Sequence, residues 1–184
     1  MNISRRNFLY STGAVGLVST VGFGCSSPQV VVVRQATPNP LIGKRTFVFE
    51  PVSWDGFTYD GQSEADWLAS RKPKQVESFN EDKRNVTERM MKRFEAEAKS
   101  DEVIKLGSAG AGEFAIAMHI KAYERGMFQW SFAIKDESGQ VVDELEGPNR
   151  GGGWGFAIQF TNLIVLATVD ILKYLRKRYK NEGE

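Results

Sequence analysis

Apolar residues alternate with other residues in two neighbouring segments, 114–123 and 127–136. This period of two is typical of a β-strand with one buried face. Gly126 separates the two segments, and a turn-rich stretch at 136–140 leads into a third apolar segment at 141–147. The pattern therefore predicts three consecutive antiparallel strands. The apolar faces of the first two carry Phe114, Ile116, Met118, Ile120 and Ala122, and Phe128, Trp130, Phe132 and Ile134.

A period close to four predicts one helix at residues 80–99 and a second from about Phe156 to Lys177. Polar residues interrupt the second helix, so we expect it to be buried over the sheet and not to span a membrane. Cations gather near its end, where they interact favourably with the helix dipole. The apolar stripe of the first helix is Val86, Met90, Phe94 and Ala98; the interrupting residues are Gln159, Asn162 and Asp170; the cations are Lys173, Arg176, Lys177, Arg178 and Lys180.

Two shorter strands are predicted outside these elements. Phe47 and Phe49 alternate with their neighbours ahead of Pro51, and residues 101–107 form a brief apolar segment. Residues 55–78 form a long polar connection, and such loops are often functional or carry short elements. The order of elements predicts an α+β fold, a two-layer sandwich of a mostly antiparallel sheet covered by two helices.

The N-terminal residues have the make-up of an export signal. Arg5 and Arg6 are the only charged side chains before Arg34, and an apolar segment follows that is too short for a membrane span of about 20 residues. Ser4, Arg5, Arg6, Asn7, Phe8 and Leu9 resemble the twin-arginine signal, with Tyr10 in place of the usual lysine. The resemblance implies export of the folded protein by the Tat translocase. The alternative is a chance pair of arginines.

The single cysteine, Cys25, follows this apolar segment. Residues 22–25 resemble a lipobox, although Gly22 stands where a branched apolar residue is usual. The resemblance implies a lipid on Cys25 and cleavage just before it, and Ser26 and Ser27 favour transfer to the outer membrane. A lone cysteine in an exported chain has no internal disulfide partner, and lipidation would account for it. The alternative is a cysteine discarded with the signal peptide.

These features divide the chain into a twin-arginine signal peptide at 1–24, a lipidated cysteine with a flexible tether at 25–43, and a single envelope domain at 44–180. Three prolines disfavour its packing as a regular element, so we expect the tether to be flexible. Residues 29–33 are either an early strand or a β-prone patch on the linker. Removing Arg5 and Arg6 lowers Lys+Arg from 24 to 22 against 23 acids, a formal charge of −1. A near-neutral domain does not favour nucleic acid as a partner.

No catalytic, cofactor-binding or metal-binding residues are predicted. His119 is the only histidine, and we expect a polar residue on the sheet surface. The glycine clusters at 107–112 and 151–155 lack the lysine and the spacing of nucleotide loops. The carboxylate clusters lack the ligand spacing of a calcium loop.

Residues 44–178 resemble a group of uncharacterised bacterial envelope lipoproteins in the order of their elements and in the hairpin sequence DESGQVV. The domain of these lipoproteins is similar to the N-terminal domain of TolB and to the periplasmic part of curli-assembly lipoproteins. The resemblance implies an envelope location and carries no catalytic motif.

Three functions remain open. The first is a non-enzymatic lipoprotein on the periplasmic side of the cell envelope, anchored in the outer membrane, that binds an envelope protein or assists assembly. Its predicted partner surface is Trp54, Phe57, Tyr59 and Trp67, unless these residues pack back over the sheet. The second is a carrier of a small ligand or lipid, with the same aromatics and Trp154 around a cavity. The third is an enzyme, because Tat export often accompanies a cofactor.

Overall fold

The computed structural model describes residues 30–43, 46–99, 104–107, 113–153 and 156–180. The predicted export signal and Cys25 lie outside these ranges. The described part forms nine strands and three helices. They are, in chain order, β1 (Val31–Gln35), β2 (Thr46–Phe49), β3 (Thr58–Tyr59), β4 (Gln62–Ser63), α1 (Glu64–Ala69), α2 (Pro73–Ala98), β5 (Lys105–Leu106), β6 (Phe114–Glu124), β7 (Met127–Lys135), β8 (Val141–Glu146), β9 (Arg150–Gly151) and α3 (Phe156–Lys180).

The sheet is mostly antiparallel, as predicted. Its main path runs β1-β8-β7-β6-β2-β5. The meander β6-β7-β8 pairs antiparallel throughout, and β1 joins the far side of β8 antiparallel. β2 lies parallel to β6 and to β5, because the chain between β2 and β6 crosses over through α2. The fold class predicted from the sequence is confirmed.

Both long helices cover one face of the sheet. The inward residues of β6 and β7 are those of the period-two pattern, and Ile116, Ile120 and Trp130 are fully buried among them. Phe94 of α2 and Phe160 of α3 are equally inaccessible and belong to the same core. Burying one such side chain stabilises the fold by about 1.5–3 kcal/mol. The alternating strand faces therefore fix which side of the sheet the helices cover.

The 55–78 segment carries short elements and is not a structureless loop. It contains β3, β4 and α1, and α2 begins at Pro73, several residues earlier than predicted. The missing N–H of proline costs nothing in the first turn of a helix. Ser63 caps α1, because its Oγ accepts from the Asp66 N–H at 3.1 Å. The first residue of each of these helices is set by a single capping or proline residue, so the apolar periodicity does not predict it accurately.

β1 corrects the predicted domain boundary. Of the two interpretations of residues 29–33, the structure has the strand, because Val31–Gln35 pairs with β8. Leu41 is also buried, with 1% of its surface exposed. The flexible tether predicted at 25–43 therefore does not extend to residue 43, and the folded domain begins before residue 44. Asn39 adds to this attachment by donating from Nδ2 to the Arg178 carbonyl at 2.7 Å.

The polar residues of α3 point inward to partners on the sheet side. Tyr123 donates its hydroxyl proton to Gln159, and Arg150 donates from Nε to Asp170 Oδ2 at 2.8 Å. Within the described residues, α3 is long and apolar enough to cross a membrane by length and composition, but half of its apolar window is buried inside the fold. The helix packs on the sheet, as the sequence predicts.

Candidate functional site

The structure brings the four predicted partner residues together in one aromatic cluster. The rings of Trp54 and Phe57 meet edge to face with centroids 5.0 Å apart. Tyr59 stacks on Trp67 at 4.1 Å, because α1 folds back over β3. Phe79 of α2 joins both pairs, 5.0 Å from Trp67 and 5.9 Å from Trp54. Such offset and edge contacts contribute about 0.5–1.5 kcal/mol each beyond the burial of area.

This aromatic cluster is part of the core and not an exposed patch. Phe57 is 3% exposed and Trp67 is 7% exposed, while Trp54 and Tyr59 are half-buried against the same core. The prediction of an exposed partner surface is therefore wrong for Phe57 and Trp67, which pack over the sheet edge. Phe156 and Phe160 of α3 fill the neighbouring space. The predicted contribution of Trp154 to a cavity lies outside the described residues.

Burial also affects the Tyr59 hydroxyl. Burial, with the neighbouring Tyr123, raises the pKa of Tyr59 from 10.0 to about 12. The hydroxyl therefore stays protonated at physiological pH, where a general base would need a pKa closer to neutrality.

The opposite face of the sheet is open and lined with small residues. It holds a shallow depression of about 310 Å³ whose floor includes Ala117, Ser131 and Ala133. His119 lies at its side, opposite Ser131 in the β6–β7 register, as a polar residue on the sheet surface. His119 Nε2 lies 2.8 Å from the Asp55 carbonyl oxygen. Because a carbonyl only accepts, this nitrogen donates the proton, and the ring ties the loop after β2 to the sheet.

Ion pairs border this open face. Lys135 Nζ lies 2.6 Å from Glu50, and Lys121 Nζ lies 2.5 Å from Glu146. Pairs this exposed contribute about 0–1 kcal/mol each. Across the described residues, no group of three or more His, Cys, Asp and Glu side chains is arranged to hold a metal ion.

The most exposed apolar segment of the described chain is the edge strand β1. All five of its residues are exposed, and Val31, Val32 and Val33 expose 63%, 47% and 56% of their surfaces. β1 ends the sheet path, so in the described part of the chain only one of its two sides carries a strand. An apolar edge with backbone groups facing outward can pair with another chain. The sequence shows the valines, but not that they stand at an edge.

A buried polar network fixes β1 to the rest of the molecule. Asp143 of β8 is fully buried and accepts from the Ala36 N–H at 3.0 Å, from the Tyr174 hydroxyl at 2.7 Å and from Arg178 Nε at 2.9 Å. Arg178 Nη2 also donates to the Ala36 carbonyl at 3.0 Å. We call these residues the Asp143 network. Arg178 lies in the last turn of α3, as predicted, and in addition forms a buried ion pair with Asp143.

The fold has likenesses among solved structures, two of which follow. No family model matches the chain, and no curated protein matches its sequence. A dodecamer of PelC from Paraburkholderia phytofirmans shares 12% identity and a TM-score of 0.36 over 84% of this chain and 98% of that one. Protein XCC0632 from Xanthomonas campestris shares 9% identity and a TM-score of 0.38 over 82% and 93%. Both scores are low, and neither likeness carries a functional conclusion.

Proposed function

We propose that this protein is an exported lipoprotein, held at the periplasmic side of the bacterial cell envelope by a lipid on Cys25, that binds other envelope proteins and catalyses no reaction. The twin-arginine-like sequence at residues 4–9 and the lone cysteine support export and anchoring. Anchoring in the outer membrane rests on Ser26 and Ser27.

The observation that carries the binding role is the position of β1. Five residues, 26–30, separate Cys25 from an exposed apolar edge strand. A chain of that length spans at most about 18 Å when fully extended. The edge strand is therefore held close to the membrane surface, where envelope partners meet it.

The partners of the two buried aspartates, Asp143 and Asp170, support a non-enzymatic role. Asp143 accepts hydrogen bonds from three residues, and Asp170, 7% exposed, forms a bidentate ion pair with Arg150. Burial raises the pKa of Asp170, while Arg150 opposes that rise. Catalytic acids and bases must reach a substrate in a cleft. These carboxylates instead join strands to α3.

Lipidation is tested by expressing the full-length chain in its native bacterium with radioactive palmitate. We expect label and membrane association in the unaltered protein, and neither in Cys25→Ser. An intact mass showing a free thiol on Cys25, or a mature chain that starts beyond it, would contradict the anchor.

The export route is tested separately with Arg5→Lys/Arg6→Lys, which keeps the charge and removes the paired arginines. We expect the precursor to accumulate inside the cell, as in a strain without the Tat translocase. The matched control is Arg34→Lys, outside the signal, which should be exported normally. Normal processing of the double variant would show that another route carries the chain.

The binding role is tested by crosslinking intact membranes and capturing the full-length protein, with Cys25→Ser as the control. We expect an envelope protein in near-equal amount that disappears when the anchor is lost. Recovery of lipid or a small molecule without any protein would overturn the binding role in favour of a carrier.

A further inference from the structure

We propose that the outer edge of β1 pairs antiparallel with β1 of a second copy of this chain, so that the two sheets become one across a two-fold axis. This inference rests on the proposed lipid anchor and names the first partner of the anchored protein. The evidence is the free edge, the pairing that its sequence allows, its rigidity and its distance from the membrane.

The edge is open and apolar. β1 pairs with β8 on one side, and its other side faces no strand of the described chain. Natural edge strands are commonly protected by lysine, proline or inward charges. Val31, Val32 and Val33 offer neither charge nor proline, about half of the surface of each is exposed, and the one protective feature here is the irregularity at Val33.

The strand can pair with itself. Antiparallel pairing centred on Val32 places Val31 opposite Val33 of the second copy and Val32 opposite itself. Arg34 then lies opposite Val30, so the two positive charges do not face each other. β-Branched cross-strand pairs of this kind are favourable, and a contact that repeats about a two-fold axis closes at two copies.

The bulge in β1 also favours pairing centred on Val32 over pairing centred on Val33. Its register against β8 shifts between Val32 and Arg34, so Val33 forms a bulge there. Pairing centred on Val33 would put this bulge at the axis, whereas centring on Val32 places it one residue away, opposite Val31 of the other copy. The Asp143 network holds the end of the strand through Ala36, and a strand that is already fixed loses little entropy on pairing.

The small size of the edge argues for a copy on the same membrane over a partner from solution. Five residues of strand bury far less than the roughly 1,200–2,000 Å² of a stable interface. Such a weak contact forms only when both strands are held close together, which raises their effective concentration. A second copy anchored through its own Cys25 carries its β1 at the same height above the membrane.

The test introduces cysteine into the edge of the full-length chain in its native membrane. Val32→Cys places two thiols opposite each other at the axis, at a strand spacing of about 4.5–5.5 Å that suits a disulfide. Two copies with tags of different size are expressed together, oxidised and separated without reductant. We expect a disulfide dimer that contains both tags.

Position and charge variants sharpen the result. A copy with Val31→Cys should link to a copy with Val33→Cys, while Glu144→Cys, an exposed position of β8, should stay monomeric. Adding Val33→Lys to the Val32→Cys chain should lower the dimer yield about tenfold, because two new charges flank the axis.

The same samples are separated into membrane and soluble fractions. The fraction that contains the chain distinguishes a failure of the proposed β1 pairing from a failure of the proposed lipid anchor. Membrane-bound Val32→Cys without a dimer, a dimer equally abundant for Glu144→Cys, or a disulfide to a different protein would overturn the pairing alone. Finding the chain in the soluble fraction would overturn the proposed anchor, and with it this inference.

Discussion

Asp143 shows how one buried residue joins three separate parts of the chain. Its carboxylate accepts from the segment after β1 and from two side chains of α3. A fully buried carboxylate is tolerable only when donors compensate the lost hydration, as these do. Nothing in the local pattern of β8 distinguishes Asp143 from its exposed neighbour Glu144.

We therefore predict that Asp143→Ala lowers the free energy of unfolding by about 3–5 kcal/mol, because the buried Arg178 loses its carboxylate. The matched control, Glu144→Ala, should change it by less than about 0.5 kcal/mol. Urea unfolding of the purified proteins, followed by tryptophan fluorescence, measures both. Equal effects of the two substitutions would contradict the role of the network.

Gly147 makes a second contact that the sequence does not reveal. A Cβ at this position would lie 2.0 Å from the ring of Trp130, which is fully buried and donates from Nε1 to the Pro148 carbonyl at 2.9 Å. The backbone after β8 passes directly against this indole. Only glycine leaves room for that approach.

Gly147→Ala should consequently destabilise the protein by about 1–3 kcal/mol through overpacking of the core. Gly139→Ala serves as the comparison, because its added Cβ meets nothing within 4 Å and only the left-handed backbone, at φ +82°, costs about 1 kcal/mol. Near-ultraviolet circular dichroism of Trp130 should change in the first variant and not in the second. An unperturbed indole signal in Gly147→Ala would show that the site relaxes freely.

Alkaline pH tests the burial of the tyrosines. Burial raises the pKa of Tyr59 to about 12, and it also raises the pKa of Tyr174. Because the folded pKa exceeds the unfolded value of 10.0, this contribution to stability is complete below about pH 10 and is lost as the pH rises through about 12. Tyr59→Phe should make the fall in unfolding free energy over this range shallower. A slope unchanged from the unaltered protein would contradict the burial of that hydroxyl.

At the scale of elements, the long periodic segments were predictable, and so were the short strands β2 and β5, whereas β3, β4 and β9 were not. β6 and β7 extend their period of two over many residues, and one buried face gives a strong signal. β3, β4 and β9 have two residues each, too few to show a period. β1 has three consecutive valines and no alternation of apolar and polar residues, so its sequence does not show whether it is a strand. Its pairing with β8 makes it one.

The corrected boundary at β1 gives a fourth prediction. A chain that begins at residue 44 lacks β1, the Ala36 contacts of Asp143 and the buried side chain of Leu41. We expect it to lose at least about 3 kcal/mol of stability relative to a chain that begins at residue 26. Comparison of their urea midpoints measures the difference. Equal midpoints would restore the boundary predicted from the sequence.

At the scale of the whole molecule, the candidate site was predictable only in part. The twin-arginine-like sequence and Cys25 are local features, and the export and lipidation proposed for them would depend on short sequences and not on the fold, so a sequence alone can indicate them. Whether a strand is an edge depends on the order of the whole sheet, and whether an aromatic is exposed depends on what packs over it. The sequence predicts Trp67 to lie on a partner surface, but the structure buries it. The sequence does not predict that Val32 is exposed, but it stands on the edge of the sheet.

The Asp143 network also bears on the order in which the molecule is made. Ala36 and Arg178 are 142 positions apart, so β1 cannot complete its contacts until residue 178 has left the ribosome. A chain interrupted before β8 would leave β1 without the strand with which it pairs. If the sequence at residues 4–9 directs export through the Tat translocase, as proposed, and that translocase accepts only folded cargo, chains that lack α3 would be held back.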